Sequence, residues 1–346
     1  MYMKFWKYEN IKCGFMYAYV HFILEVICFC MLSRLSNSLI VWLIPFLYDA
    51  FAFVPQSLIG YLKDKFPKLN VGLIGMILLI ISIVLFCFLN ISKYVIVFIM
   101  AIGNACLHVE GAYNTLLSSN GKLSHSAIFV GFGAIGVITG RVIAKTIMPT
   151  WFLLPIIITI LPILLIGMDY HKDIICNNYN YVKEDKNKFM VIILVTFVVL
   201  VRGYLGYRIP SAWKTTTIHT VILFVTMGLG KCLGGILSDL FGLKKIAAIS
   251  TLLAIPFLLL GNNNIIVSLI GIMIFSLSMP ITLAMIISVL KKNPGLAFGF
   301  TTIGLFFGTL PIFFINITNM VVNTIIVLIL SIISFLIMNS LLKEDK

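Results

Sequence analysis

Twelve apolar runs follow one another along the chain, at 13–33, 38–60, 70–89, 94–116, 126–148, 151–168, 189–208, 215–237, 246–261, 264–289, 295–315 and 320–342. Most come close to the ~20 residues that a helix rising ~1.5 Å per residue needs to cross ~30 Å of hydrocarbon. Runs such as Ile77 to Phe86 are apolar throughout, so they lack the alternation of a membrane β-strand. The pattern predicts an all-α integral membrane protein of twelve transmembrane helices. The longest polar interruption, Asp169 to Lys188, has the Asn, Lys, Tyr and Asp content of a solvated linker. It divides the chain into six-helix bundles at 1–168 and 189–346, joined by a linker at 169–188.

Composition agrees with the pattern. The 346 residues are 61% hydrophobic and 11% charged, and the mean hydropathy is +1.11, too apolar for a chain whose surface faces water. A net charge of +13 would suit nucleic acid, but the basic residues fall in short pieces between the runs, which is a topology signal and predicts no nucleic-acid partner. With both termini inside, most lysines lie on the inner side, among them Lys4, Lys7, Lys63, Lys172, Lys291 and Lys346, and only Arg34, Lys93, Arg208 and Lys214 occupy outer loops. This asymmetry predicts a multi-pass cell-membrane protein with cytoplasmic termini. The first run carries Glu25 and no small-residue cleavage site, so it reads as a retained span. Seven cysteines, mostly within spans, form neither a disulfide framework nor a zinc pattern. Glycosylation sequons at Asn90 and Asn316 sit in outer loops too short to carry weight.

One short segment occurs twice. Gly60 to Asn70 reads GYLKDKFPKLN and Gly235 to Lys245 reads GILSDLFGLKK; Gly60, Leu62, Asp64 and Phe66 align with Gly235, Leu237, Asp239 and Phe241 at an offset of 175 residues, about half the chain. Each copy follows the second helix of its bundle on the cytoplasmic side. Here the chain resembles the major facilitator superfamily, whose loop signature runs glycine, two residues, small residue, aspartate, basic residue, any residue, glycine, then basic residues. Gly235, Ser238, Asp239, Gly242, Lys244 and Lys245 follow it with the basic pair displaced by one, and Leu240 in place of a basic residue. In the first copy Gly60, Asp64 and Lys65 follow it, whereas Lys63 and Pro67 replace the small residue and the second glycine. The resemblance implies two pseudo-symmetric six-helix bundles, alternating-access transport, and a cytoplasmic gate at these residues, with the first copy departing from the usual gating pattern. Physically, glycine lets helices approach, and an aspartate at a helix end can meet the positive end of a neighbouring helix.

Six charges fall inside predicted spans: Glu25, Asp49, Glu110, Arg141, Arg202 and Lys231. Unpaired at ~2.5–3.5 kcal/mol each, they would cost roughly 15–20 kcal/mol, above the ~5–15 kcal/mol of a typical domain's stability. They must be paired, hydrated or neutralised. His21 and Glu25 share a helix face at i, i+4, and Asp49 lies between Pro45 and Pro55, where the backbone is loosened. His108 and Glu110 are two apart, so one of them is expected to face a shared cavity. Arg141 and Arg202 come from the outer parts of helices five and seven, and the long stem of Lys231 allows it to snorkel to the cytoplasm. The acids are candidate proton carriers, the histidines candidate relays. Gly131, Gly133, Gly136 and Gly140 in helix five, and Gly295, Gly299, Gly304 and Gly308 in helix eleven, are expected to permit close, rocking contacts. Antiporters of the family carry a glycine-rich motif in helix five with a proline that this chain lacks.

There is no Walker-type phosphate loop, no metal-ligand His/Glu spacing and no nucleophile motif, so no cofactor, no metal and no enzymatic activity are expected. The reading is a secondary active transporter of a small solute, coupled to protons and expected to be a monomer. Two alternatives stay open, efflux of a drug or metabolite by the same fold and a transporter-like sensor.

Overall fold

The computed structural model describes residues 2–36, 42–166, 176, 178–315 and 319–345, with backbone alone for 2–11 and 320. Lys172, Lys346, the first part of the linker and the sequon at Asn316 lie outside these residues, as do the side chains of Lys4 and Lys7. The helices are α1 (Tyr2–Leu35), α2 (Leu43–Phe53), α3 (Gln56–Lys65), α4 (Val71–Phe88), α5 (Lys93–Ser118), α6 (Ser124–Ala144), α7 (Leu153–Ile158) and α8 (Leu161–Ile166), then α9 (Lys188–Arg208), α10 (Thr217–Phe241), α11 (Leu243–Ala248), α12 (Ala254–Leu260), α13 (Ile265–Ser276), α14 (Met279–Val289), α15 (Pro294–Thr309) and α16 (Met320–Leu341).

Among the described residues eleven helical stretches are long and apolar enough to cross a membrane. The expected sixth span is the exception. Its residues form a short apolar segment, Thr150–Ile166, that turns at Thr159 and Ile160 between α7 and α8. Two other spans are broken helices, and proline breaks both. Pro55 has no N–H to continue α2, so the chain restarts as α3; the loosened carbonyls are satisfied from elsewhere, Ala52 O by the Gln56 amide at 2.7 Å and Phe53 O by the Thr302 hydroxyl at 3.1 Å. Pro280 similarly opens α14 just after α13 ends. A π-turn at Ile249–Leu253 links α11 to α12.

Helix α1 packs chiefly on α6 and α5, and α4 lies against α5. The first half of the chain meets the second chiefly through α3 against α15 and α6 against α10. Glycine allows both. A Cβ on Gly60 would sit inside the Gly295 carbonyl, and one on Gly235 would collide with Ala127 and the Leu123 carbonyl. Backbones therefore touch where most helix pairs are separated by side chains. On α6, Gly133, Gly136 and Gly140 receive α1, while Gly131 receives α10.

The described part of the linker differs from the solvated segment expected of it. Tyr179 and Val182 are buried. The Tyr179 hydroxyl bonds Ser119 Oγ at 2.7 Å, the Tyr181 hydroxyl donates to Gly121 O at 2.5 Å, and Lys183 N donates to Leu341 O at 3.0 Å. The linker is a strap across helix ends because its two tyrosines have apolar rings to bury and hydroxyls that find partners beneath. The end of the molecule it crosses is called the linker face below, and the opposite end the far face.

Candidate functional site

A cavity of about 670 Å³ lies between the two halves. It runs from His21 and Glu25, halfway along α1, towards Ser33 and Ser36 at that helix's far-face end. Asp49 enters from α2, His108 from α5, Arg141 from α6, Tyr207 from α9, Lys231 and Phe224 from α10, and Phe298, Thr301 and Thr302 from α15. A second cavity of about 490 Å³ shares Ser33 and Arg141 with the first and continues past Lys145, Lys214 and Thr216. Six of the eight membrane residues expected to matter thus line one space, and Glu110 and Arg202 do not.

The most ordered part of the wall is an imidazole–carboxylate cluster. Glu25 Oε1 lies 3.5 Å from His21 Nε2 and 3.2 Å from His108 Nε2. The two imidazole rings meet edge to face at 4.4 Å. Each ring is anchored by its other nitrogen, His21 Nδ1 to Phe129 O at 2.8 Å and His108 Nδ1 to Asn104 O at 3.1 Å. A carbonyl can only accept, so both Nδ1 atoms carry hydrogen and both Nε2 atoms face the carboxylate. Glu25 Oε2 is buried without a hydrogen-bond partner among the described residues. The absence of a Cβ at Gly133 leaves the room that the His21 ring occupies.

The remaining cavity charges stand apart from one another. Half-buried Asp49 and Lys231 form no ion pair or hydrogen bond among the described residues. Arg141 lies between two rings instead, 5.1 Å from Phe29 and 5.4 Å from Phe224. Lys231 lines the cavity and does not snorkel to the linker face.

Glu110 and Arg202 are held elsewhere. Glu110 is fully buried; its Oε1 lies 3.1 Å from Lys63 Nζ and accepts from Asn114 at 2.7 Å, and its Oε2 accepts from Gly72 N at 3.3 Å. Lys63 also donates to Leu69 O at 2.7 Å and lies 5.0 Å from the Tyr113 ring. The sequence pattern puts Lys63 in a cytoplasmic loop; the structure instead buries it inside α3, 0% exposed. Arg202 donates from Nη2 to Phe275 O at 3.0 Å and stacks 4.7 Å from that ring, with Nε and Nη1 unpartnered among the described residues.

The duplicated motif closes the linker face. Asp64 accepts from Gly295 N and Leu296 N, both at 2.9 Å, at the start of α15. Asp239 accepts from Leu123 N at 2.8 Å and Ser124 N at 2.9 Å, at the start of α6. Each aspartate therefore reaches from one half to a helix N-terminus in the other, where orphan N–H groups and the helix dipole favour an anion. The departures at Lys63 and Pro67 leave the Asp64 contact intact. Gly242, at φ +95°, ends α10 and starts α11, while Lys244 N and Lys245 N donate to Asp345 at 2.9 Å. Lys65 lies 5.5 Å from the Phe66 ring.

No protein-family model matches the sequence, and no curated protein matches it. Solved structures do. The E. coli fucose:proton symporter FucP, as a point variant, superposes with a TM-score of 0.70 at 14% identity, covering 95% of this chain and 98% of that one. A second structure of FucP, a major facilitator superfamily transporter in the outward conformation, gives 0.69 at 15% identity over 94% and 97%. The chain has the major facilitator fold. The human organic anion transporter MFSD10 gives 0.66 at 11% identity over 95% and 98%. In this fold the cavity occupies the space between the two halves, and the α3–α15 and α6–α10 contacts seal one end of it. Sequence reasoning missed the joining of His108 to Glu25 and of Lys63 to Glu110, since both pairs come from different helices.

Proposed function

We propose that this chain is a secondary active transporter that moves a small solute by alternating access, with six-helix units at 1–168 and 189–346 rocking about the cavity and 169–188 joining them. The linker face is cytoplasmic, where the lysine excess lies, and the state described is closed on that side. The observation that carries the reading is the cavity itself. Charged side chains from both halves, Asp49, Arg141 and Lys231, face it without ion-pair partners among the described residues, and a static core does not hold such groups at ~2.5–3.5 kcal/mol each unless they are hydrated or used.

Protons are the proposed coupling ion and Asp49 the carrier. It is half-buried and has no partner among the described residues, so its protonation is free to follow the solution that the cavity faces. Each proton moved through 100 mV supplies about 2.3 kcal/mol. The fold's likeness to a fucose:proton symporter supports the coupling, and its likeness to an organic anion transporter is compatible with solutes that meet Arg141 and Lys231.

The test is flux. The purified chain is placed in proteoliposomes and screened against a panel of sugars, organic anions and cations, with and without a pH gradient. At least one solute is expected to accumulate when the gradient is imposed and to equilibrate without it. Flux no greater than in protein-free vesicles across the panel would refute the transporter reading and favour a sensor.

A further inference from the structure

We propose that His21, Glu25 and His108 form a binding site for a first-row divalent transition-metal ion of the Zn²⁺ class, reached through the cavity. The proposal names a substrate class for the transporter read above and rests on that reading for the ion's movement, though not for its binding.

Three donors converge. Glu25 Oε1 is 3.5 Å and 3.2 Å from the two Nε2 atoms, and all three ligand atoms lie within 4.8 Å of one another. Ligands at ~2.0–2.1 Å around a tetrahedral ion are separated by about 3.3 Å, so the two short separations are those of neighbouring ligands. The tautomers also fit. Metal-bound histidine ordinarily donates its second N–H to a carbonyl or carboxylate, and both Nδ1 atoms meet backbone carbonyls here.

Without a cation the arrangement is hard to satisfy. Two Nε2 lone pairs would face a carboxylate oxygen, and a single proton answers only one of those contacts. Protonating both rings sets two imidazolium ions edge to face at 4.4 Å. One divalent ion answers all three donors, and Glu25 Oε2, buried and unpartnered among the described residues, is free to become a further ligand. Imidazole donors favour zinc, copper, iron or nickel over magnesium and calcium, which take oxygen. The remaining coordination positions open on the cavity, which all three residues line. There, Arg141 and Lys231 would meet anionic ligands that the ion brings with it.

The test uses the full chain in detergent, stripped with chelator and titrated with Zn²⁺ and Co²⁺, with Mg²⁺ as control, followed by zinc X-ray absorption on the parent protein. One ion per chain is expected, in a shell of imidazole and carboxylate free of sulfur, with affinity falling about 10-fold or more in Glu25→Gln and His108→Gln. Absence of saturable Zn²⁺, a sulfur shell drawn from the cysteines, or unchanged affinity in both variants would overturn the site. Because absorption reads the parent's ligands directly, misfolded variants cannot shield the proposal. Radioactive zinc uptake in proteoliposomes tests the cargo assignment, which falls if the ion binds and another solute moves while zinc does not. If the ion binds and nothing moves, the transporter reading fails and the site stands.

Discussion

Glu110 and Glu25 are both carboxylates in apolar spans of the first half, and in sequence they look alike. Glu110 is paired with Lys63 and accepts from Asn114 and Gly72, so each oxygen has a donor. Glu25 meets two histidines and, at 3.5 Å, the Asn104 amide on the cavity wall, all through one oxygen, and its other oxygen is unpartnered among the described residues. The difference lies in what surrounds each acid. A lysine partner together with backbone and amide donors makes a carboxylate into a packing element, whereas imidazole donors beside open volume leave it available to a ligand.

The largest expected effect breaks the packing element. Lys63→Met leaves Glu110 without its basic partner in the interior, and breaking one side of a buried pair costs about 3–5 kcal/mol in comparable cases. Thermal unfolding in detergent should show a severe loss of stability, and the double variant Lys63→Met/Glu110→Gln should recover most of it. Equal stability of the single variant and the parent would mean that the pair contributes nothing.

Next in size are the glycine contacts at the linker face. Gly60→Ala puts a methyl group into the Gly295 carbonyl, and separating the two helices should cost about 1–3 kcal/mol. Asp64→Asn and Asp239→Asn should each weaken the same closure by about 0.3–2 kcal/mol through loss of an anion at a helix N-terminus. Both aspartates accept two backbone N–H groups, so the two variants should alter transport rate alike. A rate change in only one of them would show that the two locks are unequal.

The smallest expected effect is at Arg202. It lies outside the cavity and bonds a carbonyl, so Arg202→Lys should shift thermal stability while leaving apparent solute affinity within about 2-fold. A larger change in affinity would bring Arg202 into the site.

Most of the fold was legible in the chain because hydropathy and span length follow from the solvent that a membrane helix meets. The turn at Thr159–Ile160 within the sixth apolar segment was not, because the segment's apolar composition resembles that of its neighbours. Of the cavity cluster, His21 and Glu25 could be placed together, since i and i+4 share a helix face. His108 arrives from another helix, through packing that no spacing rule records. Lys63 shows the same limit from the other side: a lysine at the edge of a polar motif reads as a surface anchor until a buried acid is found beside it. The strap at Tyr179 and Tyr181 was hidden because polar composition says nothing of which aromatic rings find a groove.

The central claim is that the cavity charges carry transport while the Lys63–Glu110 pair carries only structure. The most direct test is one proteoliposome series measuring gradient-driven accumulation, normalised to folded protein, for the parent, Asp49→Asn and the double variant Lys63→Met/Glu110→Gln. The account predicts that the double variant accumulates solute close to the parent's rate, while Asp49→Asn exchanges solute without accumulating it. Full accumulation by Asp49→Asn together with a silent, well-folded double variant would contradict it.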